Sequence, residues 1–209
     1  MNKGTISRET TVAIKTRELR TDDWPNIEEL FGQRGACGGC WCMFWRTPHG
    51  GKTWRDAVGE PNKKAFRKLI KDGQAHGILA FDGDRPIGWC SFGKRADFPR
   101  TETMKAYRRD DASEVWSVNC FFVRKEYRSA GVGELMCEAA VKAIAKHKGK
   151  VAEAYPVPLT KDGNKLPAAF VYTGPEAIFK RVGFKLVQRL SYSRPLYRMT
   201  ISGKTKNAT

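Results

Sequence analysis

Two short stretches of this chain hold groups whose types and spacing could do chemistry. The first is Arg128-Ser129-Ala130-Gly131-Val132-Gly133. It follows an apolar run, Val115 to Val123, and precedes a segment in which Leu135, Ala139, Ala140, Ala143 and Ile144 recur at three- and four-residue steps. That order predicts a strand, a glycine-bearing loop and an amphipathic helix. Small residues let backbone N–H groups converge where a helix N-terminus offers unpaired donors and partial positive charge, which suits a pyrophosphate. A P-loop is excluded because no Gly-Lys-Ser/Thr closes the loop, and a dinucleotide fingerprint because its third glycine and following acidic strand end are missing. The same pattern also serves as a plain tight connection in many α/β proteins. The second stretch is Cys37-Gly38-Gly39-Cys40-Trp41-Cys42. Its three thiols could ligate a metal, but a structural zinc site wants a fourth ligand and His49 is the one local option. Packing of these residues as a loop is the preferred reading, and no metal is expected. Cys120, in the central strand, has no evident cation beside it that would make it a nucleophile.

Length and charge bound the rest. A chain of 209 residues can bury one full core, and nothing in it forces a second. No run approaches the length of a membrane span, and the first residues lack the apolar core of an export signal. A cytoplasmic protein with reduced thiols is the expectation, with no membrane partner. The formal net charge of +16 should attract anions such as phosphorylated cofactors. Much of it sits at Lys63, Lys64, Arg67, Lys68 and Lys71, spaced as a solvated helix face, and no nucleic-acid signature accompanies it. A specific nucleic-acid partner is therefore not expected.

The elements that must position these residues can be read in order. Residues 1–11 are polar and expected to be flexible, 12–201 form a single domain, and 202–209 are a flexible tail. Thr11 to Leu19 alternates as a first strand, and Asp22-Asp23-Trp24-Pro25 opens a helix through Leu30 and Phe31. Gly32 to Gly51 reads as a loop. Trp54 to Val58 and Lys64 to Lys71 read as helices separated by Gly59-Glu60-Pro61. A hairpin of His76 to Phe81 with Ile87 to Phe92 turns at Asp82-Gly83-Asp84. Lys94 to Ser113 reads as irregular. After the helix come a strand from Val151 to Val157, a loop from Leu159 to Leu166, a short helix from Pro175 to Val182, and a hairpin of Phe184 to Leu190 with Leu196 to Ile201.

Arg128-x-x-Gly131-x-Gly133, after a strand ending Phe121-Phe122-Val123, resembles the cofactor motif of the GNAT superfamily of acetyl-CoA-dependent N-acyltransferases. Ala177-Ile178-Phe179-Lys180-Arg181-Val182-Gly183-Phe184 resembles that superfamily's helix ending in Gly-Phe. The resemblance covers roughly Thr11 to Met199. Cys40-Trp41-Cys42-Met43-Phe44-Trp45 and Glu153-Ala154-Tyr155-Pro156 are similar to one bacterial branch of it. The fold it implies is α/β (α+β in some schemes): a mixed, mostly antiparallel sheet flanked by helices, with two parallel strands splayed at the cofactor site. The activity it implies is transfer of an acetyl group from acetyl-CoA, as co-substrate, to a primary amine of a small molecule or peptide, by direct attack in a ternary complex. Monomer and homodimer are both left open. The alternative is a catalytically weak module that senses acyl-CoA or docks an anionic partner.

Carried onto this chain, the resemblance implies acetyl-CoA binding by the backbone of Phe121, Phe122 and Val123 and by Arg128, Ser129, Ala130, Gly131, Val132, Gly133 and Glu134. It implies Glu153 as general base, matching a glutamate of ribosomal-protein N-terminal acetyltransferases; a structural carboxylate paired with an arginine is the competing reading. A preceding-strand position falls at Ser117, with Asn119 its neighbour by period two. The superfamily's frequent tyrosine acid is replaced by Phe179, which leaves Tyr172, then Tyr155, as the nearest phenols. The first-helix loop would wall the acceptor pocket, so Trp41, Cys42 and Trp45 are expected to line it, with Phe44 beside them.

Overall fold

The computed structural model describes residues 13–48, 55–104, 107–158, 166–189 and 195–201. The expected flexible ends, His49, Trp54 and most of the loop from Leu159 lie outside these residues. Seven strands form one sheet in the order β1-β2-β3-β4-β5-β7-β6. They are β1 (Lys15–Glu18), β2 (His76–Asp82), β3 (Arg85–Lys94), β4 (Val115–Val123), β5 (Val151–Ala154), β6 (Lys185–Arg189) and β7 (Pro195–Thr200). Every neighbouring pair is antiparallel except β4 and β5. This is the sheet the resemblance implied.

Four helices flank it: α1 (Trp24–Phe31), α2 (Glu60–Lys71), α3 (Val132–Lys146) and α4 (Glu176–Val182). On one face α3 buries Met136, Cys137, Ala140 and Ile144 against Ile78, Cys90, Phe92 and Val118. On the other, α1 and α2 bury Ile27, Phe31, Phe66 and Ile70 against Leu79 and Trp89. Both sides of the central strands are thereby dry, which is why β2, β3 and the first half of β4 read as continuous apolar runs. Among the described residues no helix is long and apolar enough to cross a membrane.

Three boundaries differ from expectation, each for a physical reason. The second of the two expected helices opens at Glu60-Pro61 and not at Lys64, because a proline in the first turn forfeits no intrahelical hydrogen bond. The stretch from Lys94 to Ser113 is not irregular throughout: it holds 3-10 turns at Arg95–Asp97 and Ala112–Glu114 and a helical turn at Arg100–Thr103. Finally, β5 stops at Ala154, and Val157 only bridges Pro175. That early stop creates the site.

Candidate active site

Strands β4 and β5 pair in register from Val115↔Val151 to Val118↔Ala154 and no further. Beyond that point β4 continues for five residues, bound on its other edge to β3 alone. The β3–β4 register slips between Ser91 and Phe92, which leaves Asn119 as an extra, bulged residue at the point of parting. A wedge opens there. On its β4 wall the Phe121 N–H donates to the Tyr172 carbonyl (2.6 Å). Across from it, Val157 N–H donates to the Gly174 carbonyl (2.9 Å). The chain from Tyr172 to Gly174 therefore floors the wedge.

At the far end of β4 the glycine loop has the conformation its residues require. Ser129 and Gly131 both sit at positive φ, and a side chain on Gly131 would point into open space. Gly133 packs closely instead: a β-carbon there would lie 2.7 Å from Ile178 of α4. Arg128 N–H donates to Lys125, and the N–H groups of Glu134 and Leu135 donate to Gly131. Between them, the N–H groups of residues 129–133 meet no acceptor among the described residues. Five free donors at the positive end of a fifteen-residue helix fit a diphosphate.

Three residues expected to contact the cofactor have their backbone N–H groups engaged elsewhere or turned away. Glu134's N–H is spent inside the turn, and its carboxylate pairs with Arg181 (2.5 Å). Phe121's N–H is taken by Tyr172. Phe122 faces the wrong way: backbone polar groups alternate along a strand, and with Phe121 turned to the wedge, Phe122 faces β3. Val123 faces the wedge, and the Arg128 Nε–H holds its carbonyl at 3.0 Å.

Glu153 stands one residue short of the parting, fully buried. Arg95 and the Tyr155 hydroxyl (2.6 Å) both donate to its Oε1, and Arg198 Nε donates to Oε2 at 2.7 Å. The arginines are anchored in turn, Arg95 by Glu102 and the Tyr107 carbonyl, Arg198 by both oxygens of Asp111. Burial pushes the Tyr155 phenol well up, and the nearby Glu153 carboxylate pushes it further, so it stays protonated. Its oxygen also shares a hydrogen bond with Ser117 Oγ (3.0 Å). Both Glu153 oxygens are hydrogen-bonded and the carboxylate is fully buried. The competing reading, a structural carboxylate paired with arginine, describes this geometry.

Asn119 is different. It is fully buried at the bulge, and neither its Oδ1 nor its Nδ2 has a partner among the described residues. Tyr172 also reaches the wedge, its ring edge-on to Phe44 with centroids 5.5 Å apart. Trp45 stacks on Tyr155 at 5.4 Å and lies 6.5 Å from Tyr172.

The three loop residues expected to line the acceptor pocket divide. Trp45, with Phe44, faces the wedge. Trp41 does not: left-handed backbone at Trp41 and Cys42 turns the indole inward, where it stacks on Trp24 at 5.6 Å in the core under α1. Cys42 is buried with it and accepts from Trp89 Nε1 (3.3 Å). A hydrogen bond from the Cys120 thiol, helped by Trp89 and the charge of Arg46, holds the Cys42 thiol down at about 7. Among the described residues no three His, Cys, Asp or Glu side chains stand where they could hold a metal ion.

The sequence reading anticipated an arginine beside Glu153 but not which arginines close on it. Arg198 had a signal, since it pairs across β5–β7 with Glu153 once that register is known. Arg95 had none, lying in a polar stretch that reads as surface.

A family model described as the acetyltransferase (GNAT) family matches residues 41–158, more than half of the chain. The chain belongs to that family, and is by class an acetyltransferase. Among curated protein sequences none matches it. Solved structures agree in fold. The PaiA N-acetyltransferase from Thermoplasma acidophilum, in complex with coenzyme A, is 14% identical with a TM-score of 0.52, covering 90% of this chain and 99% of its own. An aminoglycoside 6'-acetyltransferase type Ii is 12% identical with a TM-score of 0.53, covering 91% and 99%. The ribosomal-protein-S5-alanine acetyltransferase from Vibrio fischeri is 12% identical with a TM-score of 0.50, covering 94% and 97%.

Proposed function

We propose that the protein moves an acetyl group from acetyl-CoA to a primary amine by direct attack while both substrates are bound. The observation that carries this reading is the parting of β4 and β5 past Val118 and Ala154, with five free amides at the far end of the same strand. The coenzyme A complex of the Thermoplasma neighbour supports the choice of carrier. When bound, acetyl-CoA supplies the activated acyl group as a thioester. The amides of residues 129–133 hold its diphosphate, and Arg128 stands beside them.

The chain's own groups then divide the work. Val123 N–H, turned to the wedge, is the donor for the developing oxyanion, a contribution on the order of 3 kcal/mol in a dry slot. Asn119 orients the amine, its Oδ1 accepting from an amine N–H. Tyr172 supplies the proton that the departing thiolate needs, in place of the tyrosine that Phe179 replaces. Glu153 is a positioning residue: with Arg95 it fixes Tyr155, on which Trp45 and the acceptor side are packed. An alkylamine has a pKa of about 10, and among the described residues no unburdened base stands at the bulge. The amine itself must therefore arrive neutral, and the rate should rise with pH through the neutral range.

The test is thermal. Acetyl-CoA at about 100 times its Kd should raise Tm by roughly 5–10 °C. Gly131→Glu places a carboxylate and a β-carbon at the phosphate seat and should abolish the shift, while Gly131→Asn, which tolerates the left-handed backbone, should keep part of it. A wild-type protein that shows no shift at saturating acetyl-CoA overturns the reading. A full shift with no thiol released by any amine leaves a carrier-binding module.

A further inference from the structure

Two thiols meet where the loop carrying Phe44 and Trp45 lies on β4, and the transfer reaction has no use for either. Cys42 belongs to that loop, and Cys120 follows Asn119 on β4. The β3–β4 register sets Trp89 opposite Phe122 and Ser91 opposite Cys120, so these four side chains share one face of the sheet. It is the face that packs against α1 and α2. Cys42 is laid onto it: its Sγ accepts from Trp89 Nε1 at 3.3 Å and from the Cys120 thiol.

Two features set this pair apart from the other buried thiols. Trp41 and Cys42 both hold left-handed backbone, at φ 45° and 57°, which residues with a β-carbon adopt only under constraint. The conformation that turns the Trp41 indole inward also sets the Cys42 sulfur over β4. The second feature is charge. The Cys120 hydrogen bond, helped by Trp89 and Arg46, holds the Cys42 thiol down at about 7, so a thiolate is present at neutral pH. Burial pushes the Cys90 and Cys137 thiols up, and they stay protonated. Cys120 is half-buried, and the loop leads from Cys42 through the half-buried Cys40 to the exposed Cys37. Phe44 and Trp45, just beyond Cys42, face the wedge. A bond between the two sulfurs would tie that side of the wedge to the strand that carries the glycine loop.

We propose that Cys42 and Cys120 are a redox pair whose disulfide, formed with a peroxide as oxidant, pins this loop to β4 and switches transfer off. The switching rests on the acetyl-transfer reading above, and the disulfide does not. The Cys42 thiolate attacks one peroxide oxygen: an S–O bond forms, the O–O bond breaks, and the other oxygen takes a proton and leaves as water. The Cys120 thiol then attacks the sulfenic sulfur. The S–S bond forms, the S–O bond breaks, and the hydroxyl leaves as water with the Cys120 proton. Two thiols have given up two electrons, and one hydrogen peroxide has become two waters. A disulfide spans about 2 Å, far less than a hydrogen bond between sulfurs, so closure draws Cys42 toward β4 and moves Phe44 and Trp45 with it.

The experiment treats the wild-type chain briefly with hydrogen peroxide at neutral pH and follows it by mass spectrometry and by thiol release from acetyl-CoA. The chain should lose two hydrogens, and peptide mapping should join Cys42 to Cys120. Turnover should fall by about 10- to 100-fold, the scale of a reacting group displaced by an ångström, and dithiothreitol should restore it. The thermal shift by acetyl-CoA should survive, because residues 129–133 are untouched. Cys120→Ser should keep its turnover through the same treatment, and Cys37→Ser should lose it as the wild type does. Thiols that gain oxygen without joining, or a bridge confined to Cys37 and Cys40, overturn the pair, and this arm needs only the wild-type chain. A disulfide between Cys42 and Cys120 that leaves turnover unchanged overturns the switch. If no amine releases thiol before oxidation, the transfer reading fails instead, and the pinning is read by amide hydrogen exchange across residues 40–47. Slower exchange in the oxidised chain upholds it, and unchanged exchange overturns it.

Discussion

Arg95 is fully buried and Arg46 partly so, and their surroundings are opposite. Every nitrogen of Arg95 has an acceptor: Glu102, Glu153 and the Tyr107 carbonyl. Arg46 keeps two buried nitrogens for which no acceptor stands among the described residues. The same contrast recurs among neutral groups, since Tyr155 is hydrogen-bonded on two sides and Asn119 on none. A buried polar group with all its partners is part of the frame. One whose partners are missing costs stability in the free protein, and a fold retains it where a ligand completes it. By that criterion the Glu153 clamp belongs to the frame of the site, and Asn119 at the bulge does not.

The largest test of this division falls on the frame. Glu153→Gln removes the anion between Arg95 and Arg198 and leaves one buried and one partly buried guanidinium facing an amide. Breaking one partner of a buried ion pair costs about 3–5 kcal/mol, which in a chain of this size lowers Tm by roughly 10 °C. Denaturant unfolding measures it. If Glu153 were instead the general base, the variant would keep its stability, lose turnover, and flatten the rise of rate with pH.

Asn119→Ala should do the reverse. The amide has no hydrogen bond to lose among the described residues, so stability should hold or improve slightly. Turnover should fall by about 100-fold if the amide orients the attacking amine. Steady-state kinetics alongside unfolding curves reads both. An Asn119→Ala protein that is destabilised by several kcal/mol with normal kcat would put the residue in the frame and break the comparison.

How much of this was legible in the sequence follows from the same division. The strand, glycine loop and helix from Val115 to Lys146 showed plainly, because burial on both faces writes an apolar run and a packed helix writes a 3.6-residue period. Asn119 could be placed on β4, but the bulge that aims it depends on how β3 slips against β4, which neither strand records alone. The clamp was hidden because Arg95 and Arg198 are brought to Glu153 from distant stretches, and a charged residue in a polar segment reads as surface. Trp41 misled for a related reason. Flanked by glycines and cysteines, it reads as a loop residue, and only the left-handed backbone at 41 and 42 shows that the loop folds its ring into the core.

A smaller effect sharpens the comparison at the edge of the sheet, where Asp23 forms a satisfied pair less deeply enclosed than the clamp. Arg17 approaches both of its oxygens, at 2.5 and 2.6 Å, and the Arg20 N–H and the Asn26 amide add two more hydrogen bonds. Burial alone would raise the Asp23 carboxyl; the Arg17 fork and the other donors overcome that and hold it below its ordinary range. A carboxyl depressed in the folded state binds its proton more readily when unfolded. Its contribution is therefore complete above the unfolded value of about 4 and is lost as pH falls through the folded one. Asp23→Asn should cost about 1–2 kcal/mol at pH 7, because Arg17 is partly solvated and recovers water when its partner goes. The gap between variant and wild type should stay constant down to about pH 5 and close below about 4. A gap that persists unchanged to pH 2 would assign the loss to packing at the start of α1, and the pair would no longer count as a member of the frame.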